Sequence, residues 1–321
     1  MKVKTLASQT FLNRLERTIY EYRDDLAINF QRYSGFREVF GAKDYGFVLA
    51  GDVQKEVRTG EKAPVYAFKE NFQPYIIEQG VSCDLFLASN FLMKEGIFPL
   101  RDEVEEIINY LEDNKSKGNI GNLVNSKEGT LSEDKKSILK LQSLGFKTPE
   151  TAYFSNFDLL KSFINNANEK YIIKHRFGER GNSLFRINKQ NIDNFRNLNV
   201  ENYIVQKEVE ILNEKRMIFF DGKFLDSRII HDRPMPWEKE GQVKRKHLTK
   251  NYYPTPAELS DSRRIMGLFD AELGCIDWIE TNNEKRLFME YNGVGTGWGL
   301  KNYVYDLNKT VAEKLKNKYL K

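Results

Sequence analysis

Three residues near the C-terminus have the types and spacing for cation chemistry. Residues 286–299 read RLFMEYNGVGTGWG: an apolar run delivers Glu290, then Asn292, then Gly293, Gly295, Gly297 and Gly299. Strand residues alternate faces, so Glu290 and Asn292 share one side while Leu287, Met289 and Tyr291 take the other. The preceding apolar segment GCIDWIE carries Asp277, and a tight turn between two paired strands would set it beside Glu290. Two carboxylates and an amide oxygen on one surface suit magnesium, a hard cation that takes oxygen ligands in octahedral geometry. Two such ions would hold the oxygens of a triphosphate and neutralise charge during its transfer. The plainer alternative is a set of exposed strand residues beside a turn. The glycines let backbone N–H groups approach an anion closely and permit positive φ.

A triphosphate also needs fixed cations. Lys174 ends the apolar run KYIIK, just before a turn containing Gly178 and Gly181. A lysine ending a buried strand is costly without an anionic partner, and the glycine turn can fold over phosphates. The P-loop signature GxxxxGK[ST] is absent. Lys135 lies at a helix start, where the dipole slightly disfavours a free cation; an exposed lysine is the other reading. Gln206 and Glu208 follow the apolar NYIV. Such a segment can offer backbone groups to an adenine edge and a carboxylate to a ribose, or it is a solvated charge run. Arg216 and Arg228 occupy the two strands of one hairpin. On one face they would supply two guanidiniums for phosphate or carboxylate; otherwise they are surface arginines.

These residues must be positioned by an ordered set of elements. Phe11, Leu12, Leu15, Ile19, Tyr22 and Leu26 recur at steps of three and four, one face of a long helix over 8–33. YGFVLAG and DLFLASN read as short strands and residues 102–113 as a helix. The polar, glycine-bearing NKSKGNIGNLVNSKEGTLSEDKK reads as a linker, dividing the chain into 1–115, 116–205 and 206–321. SEDKKSILKLQSLGF reads as a helix, with Ser132 as the cap half of a capping box. TPETAYF is predicted to be a strand, and NFDLLKSFINNA a helix capped by Asn156. KYIIKHRF, SLFRIN and NYIVQ are predicted strands, with a short helix at 189–197. KRMIFFDGKFLDSRII reads as a hairpin turning at Asp221-Gly222. A long loop over 231–256, a helix over 257–273, the strand pair GCIDWIE and RLFMEYN, and a basic helix over 301–319 complete the chain. Intermixed helices and hairpins predict α+β layers.

The bulk numbers set bounds. A chain of 321 residues suits about two domains of roughly 100–200 residues each. At 40% hydrophobic and 30% charged, it can build a core and stay soluble. Fifty basic against 46 acidic residues leave a net charge of +4, too slight to point to nucleic acid or membrane. Cys83 and Cys275 alone make neither a disulfide framework nor a zinc cluster, and a reducing compartment is expected. No stretch reaches the roughly 18–20 apolar residues that span a bilayer, and MKVKTLASQTF lacks an export signature. A cytoplasmic protein is expected.

The order of these residues resembles the ATP-grasp superfamily over about residues 120–310, especially the branch of glutathione synthetase, D-alanine–D-alanine ligase and the ribosomal-protein glutamate ligases. GCIDWIETNNEKRLFMEYNG resembles that family's metal Asp on one strand and Glu-x-Asn on the next. DKKSILKLQSLGFKTPET resembles its helix beginning Asp-Lys and running to a Thr-Pro strand. KYIIKHRFGERGN resembles its phosphate lysine and glycine-rich loop. The resemblance implies an α+β ATP-grasp fold, two subdomains clasping ATP, behind an atypical N-terminal α/β domain. It implies Lys135 and Lys174, with Gly178 and Gly181, on the ATP phosphates. Gln206 and Glu208 would lie near the adenine or ribose, Arg216 at the acyl-phosphate region and Arg228 beside the substrate. Asp277, Glu290 and Asn292 would hold two magnesium ions.

The implied reaction is ligation. ATP phosphorylates a carboxylate, an amine attacks the acyl phosphate, and an amide, ADP and phosphate result. The substrates would be small-molecule or peptide carboxylates and amines; relatives are often dimers or tetramers, which makes a homodimer compatible. Three departures stand out: His175 follows Lys174 where relatives often have proline, GVGTGWG replaces the usual Pro-Gly, and a long helix opens the chain. Strand alternation puts His175 opposite Lys174, which favours a structural role. Trp298 either lines a pocket or packs in the core. The loop over 231–256 carries Trp237, Lys244, Arg245, Lys246, His247, Tyr252 and Tyr253, fit for a lid or a peptide-docking strip and also open to a plain surface loop. The small net charge weighs against nucleic acid there. A kinase using the same nucleotide site and a nucleotide-binding module without turnover are the competing functions.

Overall fold

Five-residue apolar runs are too short for buried helices and find one another as strands. In the computed structural model, described over residues 2–7, 36–41, 44–68, 74–88, 99–178, 184–231, 249–282, 286–293 and 304–320, they form three sheets. The first contains β1 (Val3–Ala7), β2 (Tyr45–Leu49), β3 (Pro64–Phe68), β4 (Pro74–Gln79), β5 (Cys83–Leu87) and β6 (Ile120–Val124), in the order β4-β3-β2-β1-β5-β6. β2, β1, β5 and β6 run parallel, and β3 and β4 are antiparallel additions. Parallel neighbours need a crossover. Between β5 and β6 the crossing includes α2 (Arg101–Ser116), which packs with α1 (Ala50–Thr59) through Val53, Val104, Ile107 and Leu111.

Two expectations change here. The stretch read as a linker contains β6, whose Ile120 and Val124 are buried. Its backbone is paired with β5, far away in sequence, so glycines and polar neighbours concealed it. The opening residues form the central strand β1, although Lys4 interrupts the apolar pattern. Lys4 is buried and donates from Nζ to the Gly80 carbonyl (2.8 Å) while pairing with Glu78 (2.7 Å). The long helix expected over 8–33 lies outside the described residues.

The second sheet has the order β7-β10-β8-β9, from β7 (Thr151–Ala152), β8 (Tyr171–His175), β9 (Leu184–Ile187) and β10 (Tyr203–Lys207), all antiparallel. Ahead of it stand two short helices, α3 (Lys127–Leu131) and α4 (Ser137–Ser143), where one helix was expected from Ser132. Ser126 provides the cap, accepting from the Gly129 N–H (3.1 Å), whereas Ser132 donates back to the Glu128 carbonyl (2.8 Å). α5 (Phe157–Asn166) begins as read, with Asn156 accepting from the Leu159 N–H (3.0 Å). The helix expected at 189–197 reduces to a 3-10 turn, Ile192–Phe195.

The third sheet is β13-β12-β11-β14-β15, antiparallel throughout: β11 (Ile211–Phe220), β12 (Lys223–His231), β13 (Thr249–Asn251), β14 (Leu273–Thr281) and β15 (Arg286–Asn292). Asp221 (φ 52°) and Gly222 (φ 68°) turn β11 into β12 with the two positive angles that a type I′ turn requires. α6 (Pro256–Leu268) carries a full capping box, Thr255 with Glu258. It stops at Leu268, earlier than expected, because Asp270 (φ 50°) turns the chain into β14. One face of this sheet packs on α6 through Met217, Phe219, Trp278 and Phe288. On the other face Ile218, Phe220, Leu273 and Cys275 meet the first sheet and α7 (Val304–Tyr319), leaving the polar end of β11, β14 and β15 to build a site. No helix among the described residues is long and apolar enough to cross a membrane.

Candidate active site

Antiparallel pairing places Asp277 directly opposite Glu290, and Cys275 opposite Asn292. The Asn292 amide donates to Asp277 Oδ2 (3.0 Å) and to Glu290 Oε1 (3.4 Å), so the three oxygen-bearing side chains meet on one surface. Across the other edge of β14, Arg216 lies opposite Asp277 and donates to it twice, from Nε (2.8 Å) and Nη2 (2.6 Å). Burial drives the Asp277 carboxyl upward, to about 6, and the doubly bonded guanidinium holds it ionised at neutral pH. Among the described residues no three His, Cys, Asp or Glu side chains gather as a metal-binding group. The candidate set is two carboxylates and one amide, all hard donors, which suits magnesium in chemistry.

One expectation about faces fails in an informative way. Met289 was placed opposite Glu290 by strict alternation. The register shifts between Asp277 and Trp278, so that Trp278 faces Phe288 and Met289 is the extra residue of a β-bulge. Phe288 and Tyr291 stay in the core, while the Met289 sulfur lies 3.4 Å from Lys174 Nζ. The bulge turns Met289 toward the second sheet, and nothing in local spacing announces it.

Lys174 is buried on β8, and its ammonium donates to Gln206 Oε1 (2.5 Å), which is itself tied through Nε2 to Thr151 (3.0 Å). Lys135 donates to the Gly178 carbonyl (2.5 Å) and lies 3.6 Å from Glu290 Oε2. The two lysines therefore approach β15 from one side, one at Met289 and the other at Glu290. Glu208, on the loop after β10, is gripped by Arg186 of β9 through Nε (3.0 Å) and Nη2 (2.5 Å). Arg228 faces Arg216 across the hairpin as expected, but donates to Asp226 (2.5 Å) and the Ser227 carbonyl (2.6 Å). His175 is buried, with its ring edge-on to Tyr203 at 5.0 Å and Nδ1 accepting from the Phe177 N–H (3.2 Å). Burial, with Lys135 and Arg176 nearby, lowers it to about 4, so it is a neutral structural imidazole.

A Cβ at Gly293 would sit 1.9 Å from Glu133 Oε1, the far end of a side chain that can swing aside. Asp134, the acid of the Asp-Lys pair, holds Arg176; Glu133 ahead of it looks like part of an ordinary helix start. Gly181, Gly295, Gly297, Gly299, Trp298 and residues 232–248 of the long loop lie outside the described residues.

No family model matches the sequence, and no curated protein matches it. Solved structures do. The macrocyclase MdnC from Microcystis aeruginosa MRC, bound with precursor peptide MdnA, superposes with TM-score 0.61 at 14% identity, covering 99% of this chain and 100% of that one. The ATP-grasp ligase PsnB, complexed with a minimal precursor, Mg and ADP, gives 0.59 at 11% identity, over 98% of this chain and 96% of its own. D-cycloserine synthetase DcsG gives 0.59 at 12% identity, over 98% and 100%. Likeness at these identities carries architecture, and on it the second and third sheets take an ATP-grasp fold behind the first sheet and its helices, an N-terminal α/β domain.

Proposed function

We propose that this chain is an ATP-dependent carboxylate–amine ligase that forms an amide or peptide bond through an acyl phosphate, releasing ADP and phosphate. The observation that carries this reading is the convergence of Lys135, Glu290, Asn292, Asp277 and Arg216 on one end of the third sheet, with Lys174 beside Met289. On this reading, the N-terminal part, expected over 1–115 and carried by β6 to Val124, recognises substrate, while the parts expected over 116–205 and 206–321, built on the second and third sheets, clasp the nucleotide. Lys135 and Lys174 bind the phosphates as point charges. Gln206 and Glu208 lie toward the adenine and ribose. The rigid fork of Arg216 stabilises charge on the transferred phosphoryl group and then on the tetrahedral oxyanion, with Arg228 beside the substrate. Asp277, Glu290 and Asn292 would hold magnesium, in one or two ions, which when bound neutralises phosphate charge.

Among branches of the superfamily, the Asp and Glu-x-Asn pattern favours the glutathione synthetase, D-alanine–D-alanine ligase and ribosomal-protein glutamate ligase group. Precursor peptides bound to MdnC and PsnB make a peptide carboxylate or amine a natural first substrate class. Both thiols are buried and free, with burial pushing Cys83 up to about 12, and the proposed setting is a reducing cytoplasm. The test is magnesium-dependent ADP release with candidate carboxylates and amines, followed by product mass. Hydroxylamine should trap the intermediate as a hydroxamate. A stable phosphoester with no hydroxamate would replace the ligase by a kinase, and ATP binding without ADP release would leave a binding module.

A further inference from the structure

Asp134 is nearly fully buried, and four donors converge on its carboxylate. Arg176 reaches it with Nε (3.0 Å to Oδ1) and with Nη2, Arg101 with Nη1 (3.3 Å), and the Lys136 backbone N–H with 2.9 Å. A buried ion pair is expensive unless its hydrogen bonds are complete, and breaking one partner away is costlier still. The donors come from three parts of the chain: the first turn of α2, the end of β8, and the turn before α4. This carboxylate therefore ties the first sheet's helix to the second sheet at one point.

The tie has a direct bearing on the two lysines. Lys135 is the residue after Asp134, and its backbone N–H donates to the Arg176 carbonyl (3.0 Å). Lys174 lies on β8, and Arg176 follows it by two residues, just past the strand's end at His175. Arg176 is anchored from behind, its N–H donating to the Asn202 carbonyl (2.8 Å) and its Nη1 to the Glu201 carbonyl (3.2 Å), just where β10 begins and carries Gln206 onward. Residues 134–135 and 176–178 are thus joined side chain to side chain, backbone to backbone, and finally Lys135 Nζ to the Gly178 carbonyl. We infer that Asp134, acting through the Arg176 fork, is a positioning residue that sets the spacing of Lys135 from Lys174, and so selects nucleotides by their β- and γ-phosphates. This rests on the nucleotide site proposed above.

The physical basis is the difference between a fork and a point charge. A guanidinium holding a carboxylate at two nitrogens fixes angle as well as distance, whereas an ammonium leaves the pair free to pivot. Arg176→Lys keeps the charge and loses the angle. Asp134→Asn keeps the shape and loses the charge. A merely structural pair would lower the thermal midpoint in both variants and leave nucleotide preference alone.

Calorimetric titration of the full chain with magnesium-ATP and, separately, with AMP distinguishes these. In Arg176→Lys and Asp134→Asn, ATP affinity is expected to fall about tenfold while AMP affinity holds within about twofold. In a Lys135→Met background the same substitutions should add nothing to ATP binding, since the positioned group is gone. Should either variant fail to fold, Arg101→Gln removes a third donor from the same carboxylate and is expected to shift the ATP-to-AMP ratio about threefold. A wild-type chain that binds ATP no better than AMP removes the phosphate reading of Lys135 and this role with it. A wild-type preference for ATP that survives in the variants overturns the positioning role alone.

Discussion

Arg216 faces Asp277 directly across β11 and β14 and grips its carboxylate with two parallel hydrogen bonds, of 2.8 and 2.6 Å. Asn292 approaches the same carboxylate from β15 (3.0 Å), so one acidic group organises three strands. Removing the arginine leaves a buried carboxylate with too few partners, which costs about 3–5 kcal/mol. Arg216→Ala should therefore lower the unfolding free energy by about that amount in a denaturant titration. Arg216→Lys should fold far better and show its loss in ADP release, because an ammonium does not reproduce the fork. Equal stability of Arg216→Ala and the wild type would show that the pair contributes nothing to the sheet.

Glu290 and Asn292 are less buried than Asp277 and sit at the end of β15, where substitution costs little packing. Glu290→Gln and Asn292→Ala should each reduce magnesium-dependent ADP release by about a hundredfold or more with near-native circular dichroism. Undiminished turnover in both would remove the metal assignment. Lys174→Ala should weaken ATP binding in the calorimeter, and an unchanged affinity would refute a phosphate role for that lysine.

On the opposite face of β11, Lys215 reaches Glu258 (3.0 Å), Glu280 and Tyr252 (3.0 Å). Burial alone would push the Glu258 carboxyl up. The hydrogen bonds from Tyr252, the Thr255 N–H and Lys215 outweigh it and bring the group from an ordinary 4.5 down to about 2. A depressed carboxylate stabilises the fold above its unfolded value, and that contribution is lost as pH falls through the folded one. Stability should therefore drop between about pH 4.5 and pH 2, by about 3 kcal/mol from this group. Urea unfolding across that range, compared with Glu258→Gln, checks the assignment: the variant should be less stable at neutral pH and less sensitive to acid. Parallel acid profiles would contradict it.

Gly293 and Glu133 make a second testable pair. An alanine at 293 would put its Cβ 1.9 Å from Glu133 Oε1, so the carboxylate must move. Because the carboxylate can swing aside, Gly293→Ala is expected to cost only about 0.5–1 kcal/mol, most of it absent in a Glu133→Ala background. Strict additivity of the two substitutions would show that the close approach is not what requires glycine.

Some of this was legible in local chemistry. The hairpin at Asp221-Gly222, the Asn156 cap, and the shared side of Glu290 and Asn292 all follow from backbone preferences over a few residues. Adjacency of Asp277 and Glu290 needed only that two neighbouring strands pair. The burial of Lys4, Asp134 and Glu258 was illegible because a buried charge looks like any surface charge until its ion partner arrives, and Glu78, Arg176 and Lys215 sit tens of residues away.

The chain alone determined which residue types end each strand and which of them point together, because alternation is set by covalent geometry. Tertiary structure decided the rest. Strand β6 exists because β5 offers it hydrogen bonds, and Met289 turns toward Lys174 because the β14–β15 register slips by one at Trp278. Pairing and register are settled by burial and hydrogen bonding summed over whole strands, and no window of neighbouring residues contains that sum.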